Sequence, residues 1–581
     1  MILQALCDYY QMLVNDPESK IARPGYSQVP CSYAILLNTK GDLLSLITLT
    51  EGKQKEVLTV PEQKGRSGKK AYFLCDNAKY LLGSEFNKKE KTLVPFPDYL
   101  ATSYAYHRKR IGTTPDEGLL AVLSFLQKRM DGESVDIPAD HPVYLGGNIV
   151  FRLENDPCYI HEREAAVALC AEPEVTDDEI SRGQCLITGE ENVPIARIHK
   201  LLSGVVNANT TGCAVVSFNM DSVESYGKKQ SYNAPVSESA MFEYTTALNY
   251  LLAGKTNKLR LGETTVVFWA NKKGFVQNSM AFFLNNAPDK TESAEDIEME
   301  TKIARLLIRV REGKSISDIA DPATQTYILG LSPNAARASI RFWYEDTFGN
   351  FITRMADHQN NMWIGHPDKP QSIVSISQIL RKLAPESKTW WENVPASYEN
   401  ALFKSIVTGN KYPLSVYTAV LVRIRAEAGK EYGIDAVRAG YLKAVLRRNY
   451  YHEELSMSLD LSSTNPAYLL GNLFAVLELL QKSANGSSNI RARYFASASV
   501  NPKLVFPTLL NLAQHHIVKH HVVKDDRSGE WYDRQIQNLL GRITEFPAYL
   551  SLEDQGMFVL GYYHQREYNY LKKEDKEKLE A

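Results

Sequence analysis

Cys185-Leu-Ile-Thr-Gly-Glu190, Ile195-Ala-Arg-Ile-His-Lys-Leu-Leu202, Gly212-Cys-Ala-Val-Val-Ser-Phe-Asn219, Ser225-Tyr-Gly-Lys-Lys-Gln-Ser-Tyr-Asn-Ala-Pro-Val-Ser-Glu238 and Thr264-Thr-Val-Val-Phe-Trp-Ala270 follow one another in the middle of this chain. Ala214–Phe218 and Thr265–Trp269 are runs of β-branched and aromatic residues, as in buried strands. Between them a loop mixes cations, amides and tyrosines. It then enters a helix near Ser237, with Ser237 or Glu238 at the cap and Phe242, Leu248, Leu251 and Leu252 on the apolar side. A strand and a helix would thus hold out a flexible loop of Tyr226, Lys228, Lys229, Gln230, Tyr232 and Asn233. Those side chains suit phosphates, base edges and base faces. They do not suit bond-breaking chemistry, since no paired carboxylate, Cys–His or Ser–His unit stands with them.

Composition bounds the rest. At 581 residues the chain is too long for one ordinary core and suggests about three to five packing units. An apolar fraction of 44% and a charged fraction of 23% are those of a soluble globular protein. Net charge is −2, so the whole molecule has no nucleic-acid signature and any basic surface must be local. Pro61–Arg110 holds 11 Lys and Arg against 5 Asp and Glu, and Ala419–Tyr451 holds 7 against 3. Acid gathers at Glu172–Glu179 and Asp289–Glu300. Charge segregated in this way predicts a positive track with acidic counter-surfaces, although any one cluster also fits an ordinary solvated face. All seven cysteines lie at or before Cys213 and none forms a CxxC pair, which predicts buried, reduced thiols in a cytoplasmic protein. No signal peptide and no apolar run of membrane-spanning length is read.

The expected fold class is α+β. A mixed α/β region covers residues 1–371, subdivided near 175, and a mainly helical bundle covers 372–581. A helix over Met1–Asn15 opens the chain. Tyr33–Leu37 and Leu43–Leu49 read as a hairpin about Lys40-Gly41-Asp42, with Val57–Val60 a further strand. Helices are expected at Leu100–Arg110, Glu117–Met130 and from Thr176, and a strand at Val143–Phe151. Lys272–Ala287 reads as less regular. Thr326–Gly330 and Ser339–Tyr344 read as strands joined by Leu331–Arg337. From Ser372 helical periodicity dominates.

Candidate contact residues stand in several places. The loop Lys64–Lys70 offers Arg66, Lys69 and Lys70 to a phosphate backbone. It is not a P-loop, because Gln63 stands where the first glycine belongs and Lys70 replaces the Ser or Thr. Asn77 has an amide for a base edge and Tyr80 a ring for stacking, against a plainer reading as turn and core. Arg337 and Arg341 flank the second hairpin, within reach of phosphate or as idle surface. The helix Ala436–Tyr451 sets Arg438, Lys443, Arg447 and Arg448 among apolar residues, as a helix tracking phosphates would, and as any amphipathic surface helix does. His515, His516, His520 and His521 gather on one helix. No cysteine or carboxylate stands at a matching distance and Lys519 would repel a cation, so no metal is assigned. No GxSxG, HExxH or dinucleotide fingerprint occurs, no cofactor is implied, and the chain reads as a non-enzyme.

IARIHKLLSGV, SYGKKQSYNAPVSE, TTVVFWA and LSPNAARASIRFWYEDTFG resemble the large subunit of the type I-C CRISPR Cascade complex. The resemblance runs from MILQALCDYY at the start to NPAYLLGNLFAVLELLQ near the end. It implies a non-catalytic subunit of an RNA-guided ribonucleoprotein in antiviral defence. Such a subunit reads the protospacer-adjacent motif in double-stranded DNA, helps open the duplex, stabilises the R-loop and recruits a separate helicase–nuclease. The partners implied are CRISPR RNA, target DNA, the Cascade backbone and RNA-processing subunits, a helical small subunit and the helicase–nuclease, with no membrane. Since base pairing reads the target, the protein need only read a short motif and track phosphates. The Lys64–Lys70 and Tyr226–Asn233 loops are the candidates for that work, and no family residue is carried onto them. The resembled family often makes its small subunit by internal translation. Met457 stands where that could begin, and Glu453-Glu454 is encoded by purine-rich codons just upstream. Two other classes stay open: a metal-dependent nuclease with an unrecognised carboxylate site, and a scaffold without DNA contact.

Overall fold

Thr264–Ala270 is a strand with every residue buried, as its β-branched and aromatic run requires. Ala214–Phe218 is not a strand: beyond a bridge at Ala214 it is irregular, and Val215–Phe218 is half-buried. The reason lies in hydrogen bonding. A strand must complete its ladder with a neighbour, and Thr264–Ala270 takes its neighbours from Lys258–Leu261 and Gln325–Asn334. The computed structural model describes residues 1–16, 19, 21–51, 54–63, 68–171, 181–272, 274–285, 294–365, 373–387, 389–430, 433–523, 528–572 and 576. It divides into two compact units, Met1–Leu202 with Ala214–Tyr250, and Ser203–Cys213 with Leu251–Ala581.

In the first unit Tyr26–Leu37 is the central strand. It pairs antiparallel with Gln54–Pro61 along its first half and with Leu43–Thr48 along its second, and parallel with Asn148–Leu153. The Leu43–Thr48 pairing is the expected hairpin. Its turn sets Gly41 at φ +77, with Asn38 Oδ1 accepting from the Lys40 and Asp42 N–H groups. The strand expected from Val143 begins later. Pro142–Leu145 is a 3-10 turn, and Gly146 and Gly147 at positive φ separate it from the strand. Helices Ile2–Val14, Pro97–Ile111 and Glu117–Met130 stand where periodicity puts them. Asp116 caps the last by accepting from the Leu119 N–H at 2.9 Å. The acidic run 172–179 and the expected helix start at 176 lie outside the described residues, and Arg182–Gly183 is a short strand. The cysteines are free and buried except Cys158, which is exposed.

The second unit is built on an antiparallel sheet of Lys258–Leu261, Thr264–Ala270, Gln325–Asn334 and Arg337–Thr347. Val266, Phe268 and Ile328 from that sheet share one hydrophobic cluster with Leu402, Leu446, Phe474 and Phe558 from the helices. The change of texture near residue 372 is therefore a change of secondary structure within one core. Phe275–Asn285, expected to be irregular, is a helix. Of the acidic stretch from 289, residues 289–293 lie outside the described residues, and Ala294–Arg311 is helical. With 49% helix and 16% strand, mixed sheets early and helices late, the fold is α+β.

Two helices of the second unit, Pro466–Asn485 and Leu552–Tyr570, cross at glycines. A Cβ on Gly471 would fall 2.1 Å from the Phe558 carbonyl oxygen, and one on Gly561 would fall 2.2 Å from that of Tyr468. Met457 lies in the irregular stretch between helices Ala436–Asn449 and Pro466–Asn485, and its carbonyl accepts from the Gly365 N–H at 2.8 Å. Among the described residues no helix is long and apolar enough to cross a membrane.

Candidate nucleic-acid interface

Glu224 and Asn233 shape the central loop of the first unit. Asn233 Nδ2 donates to the carbonyls of Lys228 at 2.9 Å and Gln230 at 2.8 Å, while its Oδ1 accepts from the Ser225 N–H at 2.8 Å. Glu224 accepts from the Gln230 N–H at 2.9 Å and pairs with Lys229 at 2.8 Å. These two donors hold its carboxyl below the usual range. The loop expected to be flexible is thus cross-tied. Asn233 is engaged within it, so reading a base edge would mean breaking the bonds that shape the loop. Gln230 is half engaged, its Oε1 accepting from Arg197 Nε at 2.8 Å. Tyr232 is half-buried.

What the loop presents outward is Tyr226, Lys228 and, paired with Glu224, Lys229. Tyr226 is 100% exposed on a backbone at φ +53. A non-glycine residue in that left-handed region is held there by its surroundings. Lys228 is exposed two residues on. Of the loop's two tyrosines, Tyr226, with its ring wholly in solvent, is the better stacking surface.

The first basic region divides. Lys64, Gly65, Arg66 and Ser67 lie outside the described residues, so Arg66 has no placement. Lys69 and Lys70 are exposed, and Lys69 Nζ is 2.7 Å from Asp98 and 5.5 Å from the Tyr99 ring centre. Tyr80 is buried and edge-on to Tyr99 at 5.1 Å, a core ring and not a stacking platform. Asn77 precedes the short helix Ala78–Leu81, and its Oδ1 is buried with no hydrogen-bond partner among the described residues. One segment ties the two regions together. Arg197 holds Gln230, and Lys200 Nζ lies 2.5 Å from Glu62, just before the first basic loop, and 4.3 Å from the Phe242 ring centre.

In the second unit the helix Ala436–Asn449 overturns its expected role. Arg438 is 3% exposed and donates to Glu427 at 2.6 Å, the Gly433 carbonyl at 2.7 Å and the Lys382 carbonyl at 3.0 Å. Lys443 is 2% exposed. Arg447 donates to the Leu455 carbonyl at 3.1 Å, and Arg448 donates to that of Asn410 at 3.2 Å while lying 4.2 Å over the Tyr412 ring. Helices Phe348–Met362, Leu414–Glu427 and Leu552–Tyr570 pack around this one, so it is enclosed, and its three arginines are engaged by groups inside the protein. An apolar stripe looks the same on a surface helix and on an enclosed one until its neighbours are known.

The remaining candidates stand apart from these. Arg337 is half-buried at the hairpin end opposite Asn334. Arg341 is exposed and is the extra residue of a bulge, because Gly330 pairs with Phe342 and Leu331 with Ile340. His515 is exposed, while His520 is buried with Nδ1 at 2.9 Å from Ser528 Oγ; the His521 side chain lies outside the described residues. Among the described residues no three His, Cys, Asp or Glu side chains converge as metal ligands would.

Comparison with known proteins gives one family. The family described as CRISPR-associated protein (Cas_Csd1) matches residues 6–570. No curated protein matches the chain. The family match takes in the sheets, the cross-tied loop and the helices, and the chain belongs to the CRISPR-associated Csd1 family, matching the large subunit of the type I-C Cascade.

Proposed function

We propose that this chain is the non-catalytic subunit that reads the protospacer-adjacent motif in double-stranded DNA, aids duplex opening, stabilises the R-loop and recruits a separate helicase–nuclease. It would work in the cytoplasm with CRISPR RNA, the Cascade backbone and RNA-processing subunits, and a helical small subunit. The observation that supports this reading is the Glu224–Asn233 loop. Its backbone is fixed by its own hydrogen bonds, and it presents one exposed ring and two exposed cations, Lys228 and Lys229. A stacking contact and a phosphate contact need that combination.

The test is salt dependence. Lys69 and Lys229 are paired with Asp98 and Glu224. Exposed, solvent-screened pairs contribute little to stability, so either lysine can exchange its carboxylate for a phosphate. Lys70 and Lys228 make no ion pair with a described residue and are the most available. In the assembled complex, K70A/K228A is expected to flatten the plot of log affinity for duplex target against log salt by about 1.8. An unchanged slope removes both residues from the DNA interface. Metal-dependent cleavage by the isolated chain, abolished by changing an acidic pair, would replace this reading with the nuclease one.

Residues 457–581 we propose to be made a second time as the small subunit. A start at Met457 cuts no helix, because Ala436–Asn449 ends before it and Pro466–Asn485 begins after it. Expression of the intact gene should give a smaller product whose mass fits a start at Met457, lost when that codon is changed to leucine. A band that survives the change, or the absence of any such band, ends the idea.

A further inference from the structure

The second unit carries a groove that no sequence motif announces. It has a volume of about 410 Å³ and lies between the sheet and the helix Ala396–Thr408. The bulge in Arg337–Thr347 delivers Arg341 to one wall, and the helix delivers Lys404 and Asn400 to the other. Both cations are exposed and neither makes an ion pair with a described residue; Glu263 is the acid at the rim. Phe342 and Tyr344 also line the groove, stacked on each other with centres 5.3 Å apart. Asn400 Nδ2 donates to the Ala396 carbonyl at 2.9 Å, while its Oδ1 is buried with no hydrogen-bond partner.

Each component has a ligand chemistry. Two exposed cations across a groove suit a phosphodiester. Paired aromatic rings suit the face of a base, and every base has one. An unpartnered buried amide oxygen suits an exocyclic amino group, because a buried acceptor left unmade is costly. The volume is that of a small-ligand site, and it cannot admit a duplex. We infer that this groove holds one nucleotide of a single strand, its phosphate on Arg341 and Lys404 and its base on the Phe342–Tyr344 rings beside Asn400. The inference rests on the proposed strand-holding role for its biological source, the displaced DNA strand. The groove's chemistry would equally accept RNA.

The experiment measures binding of the full chain to fluorescent oligonucleotides: single-stranded DNA, single-stranded RNA, and an abasic strand of equal phosphate number. Wild-type protein is expected to bind the base-bearing strand about 5-fold to 100-fold more tightly than the abasic one. R341A/K404A should lose affinity for it and flatten the salt plot by about 1.4. Both side chains are exposed, so the variant is expected to keep the wild-type circular dichroism. N400A should weaken binding to adenine- and cytosine-bearing strands more than to thymine-bearing ones, which have no amino group. Tighter binding of DNA than of RNA points to the displaced strand, and the reverse points to the guide. Unchanged affinity and slope in folded R341A/K404A, or equal binding of abasic and base-bearing strands, overturns the inference. The two readings fail separately. Groove-dependent binding in a complex that ignores duplex target sinks the proposed function and keeps the groove, while motif-dependent target binding with an indifferent groove does the opposite.

Discussion

Gly471→Ala and Gly561→Ala are each expected to lower the unfolding free energy by about 1–3 kcal/mol, and together to loosen the pairing of Pro466–Asn485 with Leu552–Tyr570. In an isolated helix the same change would stabilise by about 1 kcal/mol, since alanine is the better helix former. Here the new Cβ meets main chain: the Phe558 carbonyl oxygen at 2.1 Å and the Tyr562 nitrogen at 2.6 Å for Gly471, the Tyr468 carbonyl oxygen at 2.2 Å for Gly561. Backbone inside a helix cannot swing aside as a side chain can. The helices must move apart, and Phe474, Phe558 and Tyr562, whose rings pack edge to face across them, lose their fit. Denaturant unfolding followed by circular dichroism reads the effect. Gly541→Ala is the control, because its Cβ would meet nothing nearer than 3.4 Å. Variants as stable as wild type would show that the helices can separate without loss.

Lys443→Met is expected to stabilise the protein, most strongly in acid. Lys443 sits on an enclosed helix, 2% exposed, and burial, aided by the Arg447 charge, pushes its pKa down to about 7. An unfolded lysine titrates at about 10.4. Between those values the unfolded chain holds a proton that the folded chain has released, so stability rises with pH. Below about pH 7 both states are protonated and the full penalty stands. It is on the order of 5 kcal/mol by that shift. Methionine keeps the volume and removes the charge. The gain should be about 2–4 kcal/mol at pH 6 and shrink toward pH 10. His564, buried nearby with its pKa pushed down to about 3 by burial and by Lys443, should then titrate higher. A gain independent of pH, or a loss, would show that the ammonium has an acceptor in the folded protein.

Local patterns were legible to the residue in places. Glu117–Met130 ends where its stripe ends, and the hairpin around Gly41 follows from its turn residues. Phe348–Met362 carries a helical signal that the periodicity of the surrounding sequence does not announce, with Phe348, Phe351, Ile352 and Met355 spaced for one face. Thr347, which accepts from the Asn350 N–H, was the signal that names it a helix start. The interface was legible in residue types and not in direction. Nothing near Arg438 in sequence shows that the Lys382 carbonyl will be its partner, and nothing near Tyr80 shows that Tyr99 will cover it. Asn233 differs, since its partners lie within eight residues. A lone asparagine closing a Gly-Lys-Lys-Gln loop was readable as a tie instead of a contact.

The glycine seam also sets an order of events on the ribosome. Pro466–Asn485 is made first, and the helix that must lie against its bare backbone, Leu552–Tyr570, comes about 70 residues later. At about 5–20 residues per second, that is a wait of about 4–14 seconds. Throughout it Phe474, buried in the finished fold, lacks the Phe558 and Tyr562 rings that it packs against. A nascent chain halted in that interval would present an apolar helix face to whatever binds such surfaces. Slow codons between Asn485 and Leu552 should therefore lower the yield of folded protein more than the same codons placed after Tyr570.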